Sequence, residues 1–176
     1  MSFEEVRVIT VVYLAVFLPL FIYFTNKSKL PNWIPTFYIV GVVVCALGWE
    51  LWFTYGWVDG HSVDIRRSEV LNTWLPKNLN WLMNSMGDAG AVLLGGVWLM
   101  WLTHRKDATI FKQWRWSAFT ILIFWCISQN ILVEMFLYHD QLADGKPLSW
   151  APMSPLGPYF NPILFEYNDR TIMLQS

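Results

Sequence analysis

The chain has 176 residues, of which 55% are hydrophobic, 18% aromatic and only 14% charged, with a formal net charge of -1. A soluble domain carries about 25% charged residues, so too little polar surface is present to coat a globule of this size. Near-neutral charge without a basic stripe argues against nucleic acid, and what remains is one domain, 1–176, of an all-α polytopic membrane protein.

Four stretches meet the requirement of roughly 20 mostly apolar residues per crossing: 8–24, 37–57, 80–103 and 116–138. They define a bundle of four transmembrane helices. Trp33, Trp57, Trp81, Trp114, Trp116 and Tyr138 stand at their ends, as interfacial belts do. The first stretch reads as an uncleaved helix. Its head is acidic (Glu4, Glu5), and Leu18-Pro19-Leu20-Phe21 occupies the place of small cleavage residues. The 1–2 connection carries Lys27 and Lys29, and the 3–4 connection Arg105, Lys106, Lys112 and Arg115, against the single acid Asp107. The opposite side also carries six basic residues, but spreads them over longer segments among nine acids. Basic density therefore places the two short connections in the cytoplasm and both termini on the non-cytoplasmic side.

The connection 58–79 is polar and long enough for a short amphipathic helix around 63–71. After His139 the chain is interrupted by Pro147, Pro152, Pro155, Pro158 and Pro162, which rules against a continuous fifth helix. The Pro-rich tail 139–176 is expected to end in a small hairpin turning at Asn168-Asp169 and to lie over the outer mouth of the bundle as a lid. Gly95-Gly96 marks a close helix contact.

Charged groups inside hydrocarbon are expensive, so each intramembrane acid is a functional hypothesis. Glu50, Asp88 and Glu134 fall within the predicted spans. At about 1.5 Å rise per residue, Glu50 lies roughly 10 Å and Asp88 roughly 12 Å from the same face, and Asn130 is level with them. Glu50 and Thr54, Asn84 and Asp88, and Asn130 and Glu134 are each four residues apart and so share a helix face. Gln129 and Ser85 add hydrogen-bonding capacity beside them. With no Lys, Arg or His deep in any span, an acid in this setting favours its protonated form and can act as a proton donor. Trp49, Trp52 and Phe53 flank Glu50, where aromatic faces can stabilise a developing cation. Polar side chains also join membrane helices by hydrogen bonds alone; for Asn84, Ser85 and Gln129 that reading weighs as much as a catalytic one.

His61, His104 and His139 lie at or beyond the interfaces, with His104 on the side opposite the other two. No metal site is expected, and no haem, copper or di-iron cofactor. Cys45 and Cys126 sit in apolar runs, which speaks against a disulfide scaffold or a zinc site.

The run Trp49-Glu50-Leu51-Trp52-Phe53, the acid Asp88 eight residues before Gly96, and Ser128-Gln129-Asn130 together resemble the emopamil-binding protein family of sterol isomerases and sterol-binding receptors. The resemblance spans roughly residues 37–163. The Trp-Glu pair is similar, more loosely, to one in an early helix of integral-membrane terpene cyclases. In both groups membrane carboxylic acids protonate an alkene or epoxide while aromatic side chains shield the carbocation. By this resemblance Glu50 matches the second-helix acid and Asp88 the third-helix acid. The chain departs from the isomerases in having Ala46 where they carry His, Asp88 in place of a longer Glu, and no counterpart of their final helix within residues 1–176.

Two functions are therefore expected. The first is an enzyme that isomerises or cyclises an apolar sterol or isoprenoid lipid, with Glu50 and Asp88 catalytic. Trp49, Trp52, Phe53, Asn84, Gln129, Asn130 and Glu134 would line its site. The second is a non-enzymatic subunit of a larger membrane complex, whether with copies of itself or with other membrane subunits.

Overall fold

The computed structural model describes residues 1–56, 61–133, 137, 159, 162–167 and 170–173. The described chain is mostly helical. Helix α1 (Phe3–Asn26) begins with a reciprocal cap: the Ser2 hydroxyl accepts from the Glu5 amide, and the Glu5 carboxylate accepts from the Ser2 amide. A 3-10 turn, Lys27–Lys29, extends this helix. Helices α2 (Ile34–Leu47) and α3 (Trp49–Tyr55) follow, meeting at Gly48 with a bend of 43°. Next come the short helices α4 (Val63–Arg66) and α5 (Glu69–Trp74). Helix α6 (Lys77–Asp88) runs through a π-helical stretch, Ala89–Leu94, into α7 (Gly95–Thr103). A 3-10 turn, Ala108–Phe111, then leads to α8 (Trp116–Leu132).

Two helices, Phe3–Lys29 and Lys77–Thr103, are long and apolar enough to cross a membrane, and a third is if the bent α2–α3 pair counts as one span. The expected second span, 37–57, is therefore two helices. Gly48, with φ -90° and ψ -119°, leaves helical geometry and breaks the run. The expected 116–138 helix is described as α8 only as far as Leu132. The amphipathic helix expected around 63–71 is also divided. Arg67 is extended, and Ser68 starts α5 as its cap, its hydroxyl accepting from the Leu71 amide at 3.3 Å.

The helices approach one another through small residues, as membrane helices do. A Cβ on Gly90 would stand 2.6 Å from the Ala15 carbonyl oxygen of α1. Pro19 has no N–H to bond that carbonyl four residues back, so the Gly90 backbone packs against an oxygen the helix itself leaves open. Gly41 on α2 faces Leu93, and Gly95 and Gly96 face Trp125 and Leu122 of α8, the close contact their size leads one to expect. At one end of the bundle Leu30, Ile34, Leu94, Val97, Trp101 and Ile110 form a buried core, which joins the two basic turns.

The tail ends in the expected hairpin. Strand β1 (Ile163–Tyr167) pairs antiparallel with β2 (Arg170–Met173), with Tyr167 opposite Arg170, Phe165 opposite Ile172 and an irregularity between Ile163 and Phe165. The expected turn residues, Asn168 and Asp169, and most of the Pro-rich segment lie outside the described residues. β1 is exposed along its whole length.

Candidate functional site

The 43° bend at Gly48 sets Trp49 and Glu50 in the first turn of α3, and Asp88 closes α6 where the π-helical stretch begins. Both acids thus stand at interruptions of regular helix, and π-helical turns are frequent at functional sites. An indole N–H closes against the backbone at each interruption. Trp81 Nε1 donates to the Ala46 carbonyl at 2.8 Å, and Trp125 Nε1 to the Ala91 carbonyl at 2.9 Å. These bonds fasten α6 to α2 and the π-helical stretch to α8.

Trp49 Nε1 donates to Asp88 Oδ2 at 2.7 Å. Glu50 is buried, at 6% exposure. The Asn84 side chain lies within hydrogen-bonding reach of its carboxyl, and Asp88 is its charged neighbour. Cys45, one turn before Trp49, is close to both acids. Glu50 Oε2 has no partner among the described residues.

These groups form one polar wall of a cavity of about 1170 Å³ at the centre of the bundle. Its lining on α1 runs from Val8 to Tyr23, a length of about 22 Å at 1.5 Å per residue. Aliphatic and aromatic side chains make most of the surface, and Gln129 and Asn130 of α8 add further polar groups to it. The volume is slightly above the usual range of about 300–1,000 Å³ for small-molecule sites, and the composition suits an apolar guest.

Of the residues singled out in the sequence, Trp49, Glu50, Phe53, Asn84, Asp88, Gln129 and Asn130 all line this cavity. Trp52 does not. It is 58% exposed and borders a shallow surface pocket with Leu51, Tyr55 and Gly56. Glu134 lies outside the described residues. The sequence reading missed Cys45 and Cys126, both in the cavity wall, although Cys45 lies one helical turn before Trp49. It also missed Arg66 and Arg67, which are buried at 0% and 3% exposure. Arg66 donates to the carbonyls of His61 and Gly56, and Arg67 to those of Leu75 and Leu71. Burial pushes the Arg67 guanidinium down to about 10, against a smaller opposing pull from Asp64.

Comparison with protein-family models, with curated proteins and with solved structures gave no match.

Proposed function

We propose that this protein is an integral-membrane enzyme that uses Glu50 and Asp88 to isomerise or cyclise a sterol or isoprenoid lipid by protonating an alkene or epoxide. The observation that carries this reading is the meeting of two carboxyl groups on one wall of a large apolar cavity. In the isomerisation, the carboxylic acid of Glu50 gives its proton to one alkene carbon and leaves a carbocation on the other. Asp88 then takes a proton from the neighbouring carbon, the double bond re-forms one position along, and Asp88 releases that proton as Glu50 regains one, which resets the pair. Asn84 orients Glu50, the Trp49 indole orients Asp88, and the faces of Trp49 and Phe53 stabilise the cation. Gln129 and Asn130 complete the polar wall. Trp52 has no part in this version, because it faces away from the cavity. The resemblance to the emopamil-binding family and to membrane terpene cyclases supports the same chemistry.

The orientation proposed with it is four crossings with both termini on the non-cytoplasmic side. The common core beneath the two basic turns, which sets Lys27 and Lys29 at the same end as Arg105 and Lys106, supports it.

The test begins with native mass spectrometry of the protein released gently from its own membrane, to identify a retained apolar lipid. Glu50→Gln should then abolish turnover of that lipid while circular dichroism and elution volume stay unchanged. Full activity in Glu50→Gln would refute the proposal. A second reading, a subunit of a larger membrane complex, is favoured by the exposed apolar side chains of Ile163, Leu164, Phe165 and Tyr167. Stoichiometric protein partners with no retained lipid would select it.

A further inference from the structure

Helices α3 and α6 run antiparallel, and two side-chain bonds set their register: Trp49 to Asp88 at 2.7 Å and Tyr55 to Asn78 at 2.9 Å. In this register the neighbours Glu50 and Asn84 are followed, one turn on in α3 and one turn back in α6, by Thr54 and Asn80. Thr54 is 1% exposed and Asn80 0% exposed. The Thr54 hydroxyl oxygen, both polar side-chain atoms of Asn80 and Glu50 Oε2 all lack a hydrogen-bond partner among the described residues. Buried polar atoms are nearly always satisfied, and Val and Leu would fill these two positions without any unmet hydrogen bond. The stack leads away from the cavity toward the α4–α5 end. There Arg66 bonds the Gly56 carbonyl, just past α3, and Arg67 bonds the Leu75 carbonyl, just before α6.

We infer that Thr54 and Asn80 form a proton relay joining Glu50 to water at the α4–α5 end of the bundle. The inference rests on the reading of Glu50 as the acid. Residues four apart on a helix have Cβ atoms about 5–6 Å apart, a span that one water bridges when it enters between Thr54 and Glu50. A hydronium ion arriving from outside gives a proton to the Thr54 oxygen as the Thr54 O–H proton passes to that water. The water in turn gives a proton to the Glu50 carboxylate. One hydronium becomes water, one carboxylate becomes a carboxylic acid, and Thr54 ends unchanged. Asn80 is a positioning residue: its Nδ2 donates to the travelling water and its Oδ1 accepts from it. Among the described residues the titratable groups facing Glu50 are Asp88 from α6 and Cys45 from α2, and neither lies on this path.

Infrared spectroscopy of the whole protein in vesicles tests the relay without any substrate. The carboxylic C=O band removed by Glu50→Gln is followed after transfer into D2O. Thr54→Val, which keeps the side-chain shape, should slow the isotope shift of that band by about tenfold or more. Asn80→Leu should slow it as well, and Thr54→Ser should restore the wild-type rate. Wild-type exchange in both Thr54→Val and Asn80→Leu would overturn the relay and leave the acid role of Glu50 standing. Absence of a Glu50-dependent band in the wild type would overturn the acid role and the relay with it.

Discussion

Removing the Trp49 indole N–H leaves Asp88 Oδ2 without the donor it has at 2.7 Å. A hydrogen bond to a charged group contributes about 1.5–3 kcal/mol, so Trp49→Phe should lower kcat/KM by about 10- to 150-fold, at one decade per 1.4 kcal/mol. Trp52→Phe, on a residue outside the cavity, should leave steady-state kinetics within about twofold of wild type. Equal losses in the two variants would remove the Trp49–Asp88 bond from the mechanism. Periodicity alone could have separated them. At 100° per residue Trp52 lies about 200° from Glu50 on the helix, whereas Phe53 returns toward it. Asp107 offers a pH test at the other end of the molecule. Its carboxylate accepts from the Thr109 amide at 2.9 Å and from the Thr109 hydroxyl at 2.6 Å, and these bonds hold it below the ordinary value of 3.8. A lowered carboxylate adds stability that is present above its unfolded value and lost as pH falls through the folded one. The protection factor of the Thr109 amide, which removes the intrinsic pH dependence of exchange, should therefore fall only below about pH 4 and stay constant between pH 5 and 8.

Helix contacts made through glycine have a sharper sensitivity than their small size suggests. Gly90→Ala would bring a methyl group to 2.6 Å from the Ala15 backbone oxygen, which cannot swing aside as a side chain can. Overpacking of this kind costs about 1–3 kcal/mol. Thermal unfolding in detergent should show that loss for Gly90→Ala and a smaller one for Gly87→Ala, where the nearest atom is the Ala15 methyl at 3.3 Å. Apolar run length was enough to find α1, α6–α7 and the start of α8, because a membrane crossing needs little besides continuous apolar side chains. Run length carries no information about a break that keeps the sequence apolar. Gly48 sits among Ala46, Leu47 and Trp49, and the π-helical stretch reads Ala-Gly-Ala-Val-Leu-Leu, a composition equally suited to an α-helix. The extra width of that turn is set by what packs around it. The split of α4 from α5 was legible in part, since Ser68 followed by Glu69 is a helix-start signal.

At the scale of the molecule, the cavity makes the bundle a container. Val92 lies in its wall, so Val92→Phe should reduce the retained-lipid signal in native mass spectra while the protein stays folded. Undiminished retention would place the lipid elsewhere, on the outer surface of the helices. The proposed orientation has its own check. Cysteines introduced at Ser2 and at Lys112 should react from opposite sides of sealed vesicles with a maleimide that cannot cross the membrane. Depth arithmetic placed Glu50, Asp88 and Asn130 at one level, and all three line the same cavity. An acid-lined, aromatic pocket is expected from the sequence, but its size was not legible, since it depends on how the helices pack. Nor was the burial of Arg66 and Arg67, whose charges count toward orientation in the sequence but whose guanidinium groups bond backbone carbonyls in the fold.

The two indole bonds, Trp81 to Ala46 and Trp125 to Ala91, have a consequence for how the molecule can move. A kink can free a carbonyl from its own helix, and a donor on a neighbouring helix that satisfies it works as a brace, because the kinked form then carries no unmet acceptor in hydrocarbon. In the proposed reaction the walls that carry Glu50 and Asp88 would thus hold their angle, and the carboxyl groups would need little rearrangement. Deformation for loading is left to the far wall, where the described contacts tie α8 mainly to α7 and the π-helical stretch.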